Sequence, residues 1–196
     1  MPYINIGMKL YSYYKLECHD FVKQRCLEFI EQSWDFKSEK IYRLDRWSEL
    51  GLALQAEMTA KNLPSLRAIS IFCRGPYNKQ IIHRDGISND SAEVCKTGFY
   101  IPIISANSSL IWYDPDAGSH VHKWANAKYN STNAASATLA TVYRDEKAAE
   151  LGEYTSTDPV IINTSIPHRA VSRSQPRAAL AIRLNDNIDL FDALGV

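Results

Sequence analysis

From Leu66 onward the chain is a succession of short runs rich in β-branched and aromatic residues, which limits the folds open to it. Turn-forming pairs punctuate the runs: Gly75-Pro76, Asp85-Gly86, Asp114-Pro115 and Gln175-Pro176. They predict strands near 66–73, 79–85, 97–104, 109–113, 138–143, 159–163, 168–172 and 177–184. The part before Leu66 reads differently. From Leu16 to about Trp34, Phe21, Val22, Cys26, Leu27, Phe29 and Ile30 recur at helical spacing. A second helix is predicted from Asp45 to Ala60, with Trp47, Leu50, Leu54 and Met58 on one stripe and a stop at Asn62-Leu63-Pro64. Tyr11, Tyr13 and Tyr14 read as packing for the first helix. Many strands behind two helices predict a mainly β fold, a double-sheet barrel with the helices packed on one outer face.

A chain of 196 residues is expected to form one domain spanning 1–196. Within it, 1–64 is the helical part, 65–185 the β core and 186–196 a tail. Lysine plus arginine equals aspartate plus glutamate at 22 each, so no bulk charge points to nucleic acid or an anionic membrane. Met1-Pro2-Tyr3-Ile4-Asn5 lacks the basic start and apolar run of a signal peptide. No stretch approaches the roughly 20 apolar residues of a spanning helix. Cys18, Cys26, Cys73 and Cys95 show no CxxC pairing, which suits free thiols in a cytoplasmic protein.

The chemistry-bearing residues sit in the strands. His83-Arg84-Asp85 lies in a strand-like run, so His83 and Asp85 project to the same side. Much later comes His168, in Asn163-Thr164-Ser165-Ile166-Pro167-His168. Two imidazoles and a carboxylate are the facial donor set of a non-haem Fe(II) centre, which keeps positions open for reactants. The last strand, Arg177 to Leu184, alternates: Leu180, Ile182 and Leu184 on one face, Arg177, Ala179, Ala181 and Arg183 on the other. Alanines on that second face leave space beside Arg177, whose guanidinium fork suits a carboxylate. Arg183 shares the face and competes for the same role. His120-Val121-His122 is a rival donor pair, but it follows the turn-like Asp114 to Gly118 and reads as surface loop. Trp112 and Tyr113 alternate, so one of them faces the interior. His19 reads as an ordinary solvent-facing or half-buried residue of the first helix.

Together, HxD, a distant NTxxPH and a following Pro-Arg resemble the 2-oxoglutarate- and Fe(II)-dependent dioxygenases. The likeness runs from about Arg67 to Leu184. Ile82 to Gly86 resembles the family's first metal strand, and Gly98-Phe99-Tyr100-Ile101-Pro102-Ile103 its third, with Tyr100 where an amide is common. The resemblance implies a double-stranded β-helix (jelly-roll, cupin-like) with Fe(II) on His83, Asp85 and His168. It also implies 2-oxoglutarate as cosubstrate on Arg177, helped by Tyr100, with Arg183 as the alternative partner. Oxygen and a small-molecule substrate are the implied partners, and the substrate's oxidation accompanies release of succinate and CO2. A cupin-like metal-dependent isomerase or hydrolase, or a non-catalytic binding module of the same fold, are the alternatives. The segment from Asp114 to Asp158 is long for a connection and, apart from a strand near Ala137 to Tyr143, is expected to cover the site. Trp124 within it is a candidate substrate contact.

Overall fold

In the computed structural model, residues 8–86, 94–114, 149–155 and 157–196 are described in full; between 114 and 149 the description covers the backbone of 121–122, 127–130 and 136–143. The order of elements is β1 (Tyr11–Tyr13), α1 (His19–Ser33), β2 (Lys40–Leu44), α2 (Glu49–Ala60), β3 (Leu66–Arg74) and β4 (Ile82–Asp85). Next come β5 (Thr97–Ile104), β6 (Ser108–Tyr113), β7 (Val121–His122), β8 (Ala127–Asn130) and β9 (Ser136–Tyr143). The chain closes with β10 (Glu150–Tyr154), β11 (Val160–Asn163), β12 (His168–Ser172), β13 (Arg177–Leu184) and α3 (Leu190–Leu194).

Two antiparallel sheets face each other. The major sheet runs β1-β11-β5-β13-β3-β2; the minor sheet runs β10-β6-β12-β4-β9-β7, with β8 also on β9. Helices cover one side of the major sheet. Val22, Cys26 and Ile30 of α1 and Leu50, Leu54 and Met58 of α2 pack on Ile69, Ile71, Ile101, Leu180 and Ile182. The other side of that sheet meets the minor sheet through Tyr100, Val160, Ile162 and Ala179 against Leu110, Trp112, Tyr154 and Ala170. This is why β5 and β13 are buried on both faces: each lies between helices and a second sheet. Pro102 sits well inside β5, where a missing N–H would break a ladder. The register with β13 skips a residue there, between the Ala178–Ile104 and Ala179–Pro102 pairs, so a bulge absorbs the loss.

Several expectations need correction. Helix α2 starts at Glu49, because Ser48 caps it by accepting from the Gly51 N–H. Trp47 therefore precedes the helix and leaves its apolar stripe; it is 68% exposed, with the Arg46 guanidinium over its ring. Its stop is as expected, with Asn62 at φ 54° ahead of Leu63-Pro64. The tyrosine cluster does more than pack a helix. Tyr11 to Tyr13 form an edge strand on β11, and Tyr11 stacks on Trp112, 5.8 Å between ring centroids. Only Tyr14 turns to the helices, where its hydroxyl donates to Glu57. Val121–His122 is strand where a loop was expected. The tail carries α3, which Asp189 caps by accepting from the Phe191 N–H. His120 and Trp124 lie outside the described residues, as does the question of what covers the site.

Candidate active site

The site is lined by three strands of the minor sheet, β4, β6 and β12, and four of the major sheet, β3, β5, β11 and β13. β4 and β12 pair antiparallel with His83 opposite His168, which puts both imidazoles on the same side of the minor sheet. Asp85, two residues on from His83, shares that side as period-two geometry requires. His83, Asp85 and His168 offer three donor atoms within 4.8 Å of one another. Both histidines are buried, and their ring centroids lie 4.7 Å apart.

Local hydrogen bonds fix which nitrogen each ring presents. His83 Nδ1 lies 2.8 Å from the Ile81 carbonyl and His168 Nδ1 lies 2.9 Å from the Ile166 carbonyl. A carbonyl only accepts, so each Nδ1 donates to it and each ring turns its Nε2 toward the site. Those two Nε2 atoms face Asp85 Oδ1, at 3.3 Å from His83 and 3.9 Å from His168. Burial, then the neighbouring His83, push the His168 imidazole down to about 4, so near neutral pH it is uncharged and free to donate electrons. Burial works to raise the Asp85 carboxyl, but Arg183 beside it, with the two imidazoles, holds it well below the usual carboxylate range.

The Asn163-to-His168 run is the frame for this geometry. Thr164 is fully buried; its hydroxyl donates to the Cys95 carbonyl at 2.8 Å and its own carbonyl accepts from the Asp85 N–H at 3.3 Å. Asn163 accepts from the Ser165 N–H and hydroxyl through Oδ1, and its carbonyl takes the Trp112 indole N–H. One short segment thus ties the end of β4 to the start of β12.

Opposite the triad, β13 brings Arg177, Ala181 and Arg183 to a cavity that also touches Phe72, Arg74, Gln80, Tyr100, Leu110, Ile162 and Ala170. Arg177 is 2% exposed and donates to the Tyr100 hydroxyl, with its guanidinium carbon 5.4 Å from that ring. Its Nε has no hydrogen-bond partner, and no carboxylate pairs with it among the described residues. Arg183 differs: it is ion-paired with Asp85. Of Trp112 and Tyr113, Trp112 takes the interior side, with Leu110. His19 is half-buried on α1, beside Asp20 and away from the cavity.

Three features escaped sequence reasoning. Arg74 ends β3 directly opposite Arg177 and pairs with Glu39 and Asn78. Counting by twos from Phe72 would have found it. Gln80 accepts from the Ala170 N–H and places its amide nitrogen 3.4 Å from His83 Nε2. The pairing of Arg183 with Asp85, 98 residues away, depends on register between sheets and leaves no local signal.

No family model matches the chain, and no curated protein matches it. Solved structures do. HygX from Streptomyces hygroscopicus, with nickel and 2-oxoglutarate bound, aligns with TM-score 0.50 and 10% identity over 87% of this chain and 78% of that one. A prolyl hydroxylase from Trichoplax adhaerens, in complex with a hypoxia inducible factor oxygen degradation domain peptide fragment, aligns with TM-score 0.50 and 11% identity, over 97% and 88%. At these identities the likeness is one of fold. The chain has the double-stranded β-helix of the 2-oxoglutarate/Fe(II) oxygenases, and its His83, Asp85 and His168 cluster resembles their HxD…H triad.

Proposed function

We propose that this protein is an Fe(II)- and 2-oxoglutarate-dependent dioxygenase. The observation that carries the reading is the presence, in one cavity, of a three-donor cluster and a buried arginine that makes no ion pair among the described residues. Two imidazoles and one carboxylate suit a divalent iron ion better than a softer or purely oxygen-seeking metal. A buried guanidinium without an anion is costly, so its presence argues for an anionic ligand that arrives in the working state. A dicarboxylic keto acid satisfies both ends, since one end chelates a metal on the triad while the far carboxylate reaches Arg177.

In this reading His83, Asp85 and His168 hold the ion, Arg177 and the Tyr100 hydroxyl bind the distal carboxylate, and Leu110, Ile162 and Ala170 exclude water. When bound, the iron would bring together the keto acid and O2, the oxidant: one oxygen atom would end in succinate as CO2 leaves, and the other would oxidise a small-molecule substrate. Residues 1–196 act as one domain, because α1 and α2 share their core with the sheet that carries Arg177. The test is succinate formation with Fe(II), ascorbate and 2-oxoglutarate against a panel of amino acids, nucleosides and small acids. Succinate that rises with one class of compound is the expected result. Turnover of a substrate with zinc and no 2-oxoglutarate would replace this reading with a cupin-like hydrolase.

A further inference from the structure

The carboxylate of Asp85 is shared between two claims. Oδ1 faces the Nε2 atoms of both histidines, at 3.3 and 3.9 Å, while Oδ2 accepts from Arg183 Nη2. Arg183 reaches this position from the neighbouring sheet through a slot in β5. A β-carbon at Gly98 would overlap Arg183 Nη1, and its nearest backbone neighbour, the Ile182 carbonyl, would stay at an ordinary 3.4 Å. Gly98 is thus the residue that admits the guanidinium.

We propose that Arg183 is a positioning residue that occupies Oδ2 of Asp85 and leaves Oδ1 alone to bind the metal. The proposal rests on the oxygenase reading above. Its chemical point is the coordination count. An octahedral ion held by two imidazoles and one carboxylate oxygen keeps three positions for reactants. A carboxylate that turned to bind through both oxygens would keep only two, too few for a chelating keto acid plus oxygen. A guanidinium donates in fixed directions, so it restrains the carboxylate's rotation as well as its charge. Arg177 then serves the keto acid while Arg183 serves the metal ligand, which divides two similar arginines on one strand face into distinct roles.

The experiment uses Co(II), whose d–d absorption reports coordination number, with wild-type protein, Arg183→Met, Arg183→Lys and Gly98→Ala. Affinity is read by calorimetry and fold by circular dichroism. Arg183→Met is expected to change the Co(II) spectrum and to bind Co(II) roughly 10–100-fold more weakly, the usual loss for an outer partner of a metal ligand. Arg183→Lys, which keeps a cationic donor, should restore most of both. Gly98→Ala retains the arginine but evicts it from the slot, so it should reproduce the spectral change and decides the matter if Arg183→Met fails to fold. A wild-type spectrum in the folded Arg183→Met protein, or in Gly98→Ala, overturns this inference alone. A wild-type protein that binds no Co(II) overturns the oxygenase reading and the inference with it.

Discussion

Arg177 and Arg183 lie six positions apart on one strand face, yet their surroundings assign them opposite states. Arg183 has its carboxylate in place, whereas Arg177 has a phenol and no anion among the described residues. The free energy to be gained by an incoming carboxylate is therefore concentrated at Arg177. Removing one partner of a buried ion pair costs roughly 3–5 kcal/mol, which corresponds to roughly 150- to 4,000-fold in affinity. Arg177→Ala should weaken 2-oxoglutarate binding by that factor, measured by anaerobic calorimetry in the presence of Mn(II). Mn(II) binding itself should be unchanged, because the triad residues come from β4 and β12. Equal affinity for 2-oxoglutarate in variant and wild type would move the anion site away from Arg177 or abolish it.

The elements that hold the site are joined by single side chains whose loss is measurable. Thr164→Val keeps shape but removes the donor to the buried Cys95 carbonyl. An unsatisfied buried acceptor costs about 1–3 kcal/mol, and a urea melt should show a lowered midpoint with the slope unchanged. Thiols give a second probe of the same core. Cys26 on α1 and Cys73 on β3 have no exposed surface, and burial raises both thiols to about 12. Native protein at pH 8 should therefore take up iodoacetamide first at half-buried Cys18, with Cys26 and Cys73 labelled only on unfolding, as read by mass spectrometry. Early labelling of Cys73 would mean that the helices do not cover the major sheet in solution. These same elements show what sequence could reveal. β3, β5 and β13 were legible because they are long and their apolar residues mark one face or both. β1, β2 and β10 were not, because each is a short sheet-edge strand in which few residues are buried. His83, Asp85, His168 and Arg177 could be grouped because alternation and consecutive strands predict shared faces. The partner of Arg183 could not, since it depends on how two sheets register across the cavity.

At the scale of the whole molecule, the site spans both sheets. The three candidate metal ligands belong to the minor sheet, while Arg177 and Tyr100 belong to the major one. Among the described residues no helix is long and apolar enough to cross a membrane. A metal alone would fasten β4 to β12, two strands already paired. A dicarboxylate held by metal and Arg177 together would also fasten one sheet to the other. Ligands that bind only the folded state stabilise it by about 2.7 kcal/mol at a hundredfold excess over Kd. For a chain of this size each kcal/mol raises Tm by roughly 2–4 °C. Mn(II) at that excess should therefore raise Tm by roughly 5–11 °C, and 2-oxoglutarate should add a second increment of similar size only when the metal is present. In Arg177→Ala the metal increment should survive and the 2-oxoglutarate increment should vanish at the same concentration. Differential scanning fluorimetry of the four combinations distinguishes these cases. A 2-oxoglutarate increment that needs no metal, or one that persists without Arg177, would place the acid somewhere other than between the two sheets.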